Sequence, residues 1–107
     1  MHRLLDTSSL VPLEPLDPET VVSGSPKAGF RAVAAVAGAE IGVWEMTVGV
    51  ANDVEADEVF VVLSGSATVE FEDGESIELV PGVAVRLRAG DRTTWTVREV
   101  LRKVYLT

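Results

Sequence analysis

The stretch DEVFVVLSGSATVEFEDGE (57–75) settles the class of this chain's fold. From Ala67 to Glu72 apolar and polar residues alternate, with Ala67, Val69 and Phe71 on one side and Thr68, Glu70 and Glu72 on the other. A period of two places such a set on opposite faces of a strand. Upstream, Glu58 to Leu63 is rich in β-branched and aromatic residues and turns at Ser64-Gly65-Ser66. Downstream, Asp73-Gly74 is the residue pair that a two-residue type I′ hairpin turn favours. The stretch therefore predicts two strands and the turn into a third.

The same pattern extends both ways. Ile77–Val80 returns from the hairpin and Pro81-Gly82 turns again. Val83, Val85 and Leu87 point inward while Arg86 and Arg88 point out, and Ala89-Gly90-Asp91 leads to strands at Thr94–Val97 and Val100–Leu106. Toward the N-terminus, Ile41–Val48 and Phe30–Val36 are strands joined through Gly38. Valine occupies 19 positions, and no stretch has a helical apolar period better than its strand reading. About eight or nine short strands at this spacing predict an all-β sandwich or small barrel. Residues 1–28 differ: Pro12, Pro15, Pro18 and Pro26 punctuate them, and only Val21-Val22 suits a short edge strand. They are expected to form an irregular lead-in, one that could lie across a neighbouring subunit, before a single domain at 29–107.

With 107 residues the chain has room for one small core. Nine basic against 17 acidic residues give a formal charge of −8, a field that repels nucleic acids and anionic membranes. The absence of cysteine removes disulfides, zinc–thiolate sites and cysteine nucleophiles. The one histidine, His2, stands beside the first methionine, which argues against multi-histidine metal centres. The N-terminal residues lack the apolar stretch of a signal peptide, and Glu40 and Glu45 interrupt the most apolar region, so a cytoplasmic location is expected.

The blocks GVWEMTVG (42–49), DEVFVVLSGSATVEFEDGE (57–75), ELVPGVAVRLRAGDRTTW (78–95) and RKVY (102–105) together resemble the cupin superfamily. Within it they are most similar to small single-domain cupins grouped with the (S)-ureidoglycine aminohydrolase cupin domain, and SGSPKAG (23–29) looks like that group's N-terminal segment. The resemblance implies a double-stranded β-helix, the jelly-roll barrel, with a metal and a substrate at its open end. It also implies a metal-dependent hydrolase activity, but the residues at the motif positions depart from the pattern. Glu58 and Gly65 match the glutamate and glycine of the first motif. The histidine pair before them falls on Ala51 and Asp53, or on Asn52 and Val54. The second motif maps onto Arg88, Gly90 and Thr93, so its histidine is a threonine. Without imidazoles a lone carboxylate holds no transition metal tightly, and neither metal nor cofactor is expected. An oxygen-ligand cation site from Asn52, Asp53, Glu55, Asp57 and Glu58 is set against the plainer reading of a solvated acidic loop.

The candidate site follows from the strand faces. Glu58, if inward with Phe60 and Val62, is a carboxylate in apolar surroundings and the candidate acid or base; the plainer reading leaves it wet at the strand's mouth, paired with an arginine. Trp44, Phe60, Thr93, Trp95, Arg102 and Tyr105 are the candidate ligand-binding residues. Trp44 and Glu45 must face opposite ways, and so must Arg102 and Lys103; one of that basic pair could enter the barrel, to pair with Glu58 or to bind an anionic group of a substrate. For Trp44 and Trp95 the competing role is core packing, and for Arg102 it is an exposed cation that keeps a strand edge soluble. The function expected is small-molecule binding without a histidine-bound metal. The alternatives are a non-catalytic scaffold whose barrel is filled, and a metal-dependent hydrolase or isomerase. A strand apolar on both faces, Val59–Leu63, suggests a homodimer.

Overall fold

A computed structural model describes residues 3–107, and His2 lies outside it. Nine strands follow in order: β1 (Glu14–Pro15), β2 (Val21–Ser23), β3 (Lys27–Val36), β4 (Ala39–Met46), β5 (Gly49–Val54), β6 (Glu58–Phe71), β7 (Ser76–Leu79), β8 (Ala84–Leu87) and β9 (Arg92–Leu106). All pairings are antiparallel. One path runs β1-β3-β4-β9-β5-β2, and β6 joins β7, β8 and β9, so the sheet curls into a jelly-roll barrel. No helix among the described residues is long and apolar enough to cross a membrane.

The longest strand, β9, is the seam. Its first half pairs with β5 and its second with β4, while β6 runs along both halves on the other side. Inward residues of β6 and β9, with Leu87 of β8, make the core: Phe60, Val62, Ala67, Val69, Leu87, Trp95, Val97, Leu101 and Tyr105 are all buried. The expected alternation holds at Val85 and Leu87, which are buried between exposed Ala84, Arg86 and Arg88.

Three local expectations are corrected. The 58–63 and 67–72 strands are one strand, β6, because Ser64-Gly65-Ser66 makes an irregularity in register with β9 rather than a reversal. Gly65 sits there at φ +98°, and a Cβ on it would come within 2.1 Å of the Val100 carbonyl oxygen. Likewise 94–97 and 100–106 are one strand, β9. The turn after β6 is not type I′. The Phe71 N–H donates to the Glu75 carbonyl at 2.8 Å, which encloses three residues, and only Gly74 has positive φ. That is the three-residue loop with a glycine bulge, which leaves Asp73 in an ordinary conformation.

The acidic stretch begins in a strand rather than a loop. Residues 49–54 form β5, held between β2 and β9 with Asp53 opposite Thr93. Residues 6–11 lie over the outer face of β3, β4 and β9. The Arg102 guanidinium donates to the carbonyls of Thr7 and Ser9, both at 2.9 Å, and Arg31 donates to the carbonyl of Asp6 at 3.3 Å. Val43, on that outer face, is consequently fully buried.

Candidate functional site

Barrel closure brings Glu58 of β6 and Lys103 of β9 together. Lys103 stands opposite Val62 in the ladder, and the alternation of β9 turns it inward while Arg102 turns outward. Its stem lies along the barrel interior, and Nζ meets Glu58 Oε2 at 2.7 Å. The pair is withdrawn from water, with side-chain exposures of 5% for Lys103 and 18% for Glu58. Three aromatic rings surround the ammonium: Phe60 at 4.3 Å, Trp44 at 4.6 Å and Trp95 at 4.9 Å from the ring centroids. Ring faces are negative, so each attracts the cation and offsets part of its lost hydration. The rings support one another, with centroids 5.5 Å apart for Trp44–Trp95 and 5.7 Å for Phe60–Trp95 in tilted arrangements.

A cavity of about 300 Å³ opens on this pair. Trp44, Met46, Ala51 and Trp95 give it an apolar wall, and Leu16, Asp17 and Thr20, from the segment between β1 and β2, flank its mouth. That segment is fastened where the Asn52 N–H donates to the Thr20 carbonyl at 2.8 Å. Asp53, Glu55, Glu58 and Lys103 supply charged groups. Glu55 Oε2 accepts from Thr93 Oγ1 at 2.6 Å and from Trp95 Nε1 at 3.0 Å. Burial pushes the Glu55 carboxyl above the usual glutamate value, with a smaller upward contribution from Asp53 and opposing hydrogen bonds from Thr93 and Trp95. Asp53, at the rim, is also pushed up, chiefly by lost hydration. Asp57 lies outside the cavity and moves the opposite way, because the Ala89 N–H and Arg86 hold its carboxylate. A broader, shallower groove of about 600 Å³ adjoins the rim and shares Thr20, Asn52 and Asp53 with the cavity.

The sequence-derived residues are distributed unevenly. Glu58, Trp44 and Trp95 line the cavity. Thr93 is buried beside it as a donor to Glu55, and Phe60 lies beneath the ammonium, only 1% exposed. Arg102 and Tyr105 are elsewhere. Arg102 pairs with Glu45 at 3.0 Å beneath the N-terminal segment. Tyr105, farther along the barrel, donates to Glu40 Oε2 at 2.7 Å and packs over Gly42. The residue reaching Glu58 is Lys103, and Glu55 also belongs to the site. The inward half of the β9 alternation pointed to one of the two bases, whereas nothing in the acidic run distinguished Glu55 from its neighbours.

The metal that the fold implies does not fit these residues. An ammonium already sits against Glu58, Thr93 is committed to Glu55, and no group of three or more histidine, aspartate or glutamate side chains among the described residues is arranged to hold an ion.

The EutQ-like cupin domain family matches residues 33–105. A protein of unknown function from Pseudomonas syringae pv. tomato, of the DUF861 family, is similar over 95% of the chain at 24% identity, with a TM-score of 0.80. This chain spans 46% of that protein's length. The EutQ protein of Clostridium difficile is similar over 91% of this chain and 79% of its own, at 16% identity and a TM-score of 0.69. A DUF861-family protein of Thermotoga maritima is 31% identical over 59% of this chain and 73% of its own, with a TM-score of 0.55. None of the curated proteins matches significantly.

Proposed function

The chain belongs to the EutQ-like cupin family, and on that premise we propose that it binds a small polar molecule at the open end of its barrel without a transition metal. The observation that carries this reading is the 300 Å³ cavity walled by Trp44 and Trp95 and ending on the Glu58–Lys103 pair. An apolar wall with a few convergent polar groups is the ordinary form of a small-ligand site. The open cavity weighs against the scaffold reading, which needs a filled barrel. The lining carries Asp17, Asp53, Glu55 and Glu58 against one ammonium, so ligands that donate hydrogen bonds are favoured over plain carboxylates. From the resemblance to the ureidoglycine aminohydrolase group the reading keeps ureides as ligands to test, and leaves out the metal-dependent hydrolysis. Proton transfer to a bound ligand, where it occurs, is assigned to Glu58.

We also read the protein as a cytoplasmic homodimer. Val59, Leu63 and Leu106 are exposed on the outer face of β6 and β9, a surface that a second copy would cover. A thermal-shift screen of the purified protein against ureides, sugars, amines and small carboxylates tests the main reading. A saturable shift that the cavity-lining substitution Ala51→Trp abolishes is expected. A screen in which nothing binds, or elemental analysis finding stoichiometric Mn, Fe, Ni or Zn, overturns it.

A further inference from the structure

We infer that Lys103 is the barrel's resident cation: the cage of Trp44, Phe60, Trp95 and the Glu58 carboxylate is a primary-ammonium receptor that the chain fills with its own side chain. The inference stands on the geometry of the cage and does not depend on which ligand the cavity takes. Glu58 matches the carboxylate of a metal-binding motif, and a carboxylate withdrawn from water needs a positive partner. In this chain that charge cannot come from an ion held by imidazoles. An ammonium at 2.7 Å from Oε2 supplies it, and the three rings at 4.3–4.9 Å provide the cation–π contacts that receptors use for alkylammonium groups.

The arrangement also accounts for two details. Lys103 is the one lysine or arginine among the buried polar residues, yet it leaves no unsatisfied buried atom, because its head group meets an acceptor and three ring faces. Trp95 is held in place by its own indole bond to Glu55, so the cage wall is fixed independently of the ammonium it faces. Removing the lysine stem should therefore leave a shaped vacancy rather than a collapsed one.

Chemical complementation tests this. Lys103→Ala removes the three carbons and the ammonium beyond Cβ, which n-propylammonium replaces. In the full chain carrying Lys103→Ala, n-propylammonium should raise the melting temperature saturably, at a concentration at least ten-fold lower than n-propanol requires. The wild-type cage is already filled, so any wild-type response to n-propylammonium should need at least ten-fold more amine than Lys103→Ala does, and adding Glu58→Gln to the alanine variant should abolish the preference for the amine. Equal rescue by n-propanol would mean the rings merely fill space, and a tighter response to Zn²⁺ or Mn²⁺ than to the amine would mean a vacated metal site; either overturns the inference. Should the alanine variant fail to fold, the wild-type protein still reports. Its Lys103 ε-methylene protons should be shifted upfield by the rings, with a slowly exchanging Nζ resonance that Glu58→Gln speeds. Ordinary lysine shifts at position 103 would also overturn it.

Discussion

Lys103 stands opposite Val62 in the β6–β9 ladder, yet its ammonium meets Glu58, four residues farther along β6. The lysine therefore crosses over Phe60 instead of pointing across the barrel, and its charge is buried lengthwise. A pair so placed is costly to halve. Glu58→Leu, which strands the ammonium, should destabilise the fold by about 3–5 kcal/mol, read by urea denaturation. Glu58→Leu with Lys103→Met should recover most of that loss, since replacing both buried charges by apolar groups is often close to neutral. A double variant no better than the single one would show that the loss does not come from the stranded ammonium.

The raised Glu55 carboxyl gives a pH signature. In the folded state Glu55 holds its proton to higher pH than its ordinary value of 4.5, so over that interval the native state binds more protons than the unfolded state. Its contribution to stability is full below 4.5 and is lost as pH rises through the raised value. Glu55→Gln should accordingly be more stable than the wild type at pH 7 by a few degrees in Tm, with the gap closing toward pH 4. A gap that is constant with pH, or of opposite sign at pH 7, would contradict this.

Gly65 permits the close contact between β6 and β9 at their register irregularity. Gly65→Ala would place a methyl 2.1 Å from the Val100 carbonyl oxygen at a φ of +98°. Backbone strain and overpacking each cost roughly 1–3 kcal/mol, so a loss of about 3 kcal/mol is expected. Thermal denaturation of that variant beside Gly74→Ala, which has positive φ but open space, separates the clash from the strain.

Arg102 links Glu45 to the carbonyls of Thr7 and Ser9. Arg102→Lys keeps the charge and loses the planar fork that serves all three acceptors. Limited proteolysis should then cut residues 4–11 several-fold faster, with little change in the Tm of the barrel. An unchanged cleavage rate would show that the segment is held by its apolar contacts alone.

How far the sequence foretold these features depends on whether they are local. The alternation at Val85 and Leu87 is intrinsic to its strand, and the structure repeats it; in 67–72 it is interrupted at Thr68, which is buried with its hydroxyl between Glu78 and Arg98. The continuity of β6 through Ser64-Gly65-Ser66 depends on β9 lying alongside, and no local signal separates a bulge from a turn there. β5 was obscured because Asn52 and Asp53 resemble loop residues, whereas pairing with β2 and β9 makes them strand. Alternation set Arg102 and Lys103 on opposite faces, and only the pairing of β9 with its neighbours showed that Lys103 is the one that faces the barrel. Glu55 could not be chosen from its neighbours, since its partners Thr93 and Trp95 are some forty residues away.

The long seam strand also constrains how the molecule comes into being. β9 joins β4, β5 and β6, and it follows all three in the chain. During synthesis those strands emerge with open edges and apolar inner faces, and nothing local can close them. Closure awaits β9, and with it comes Lys103, the counter-charge of Glu58. Until then the carboxylate remains in water, at no cost. The burial of charge and the sealing of the barrel are thus one late event, and a ribosome stalled short of residue 92 would hold an unclosed, aggregation-prone sheet.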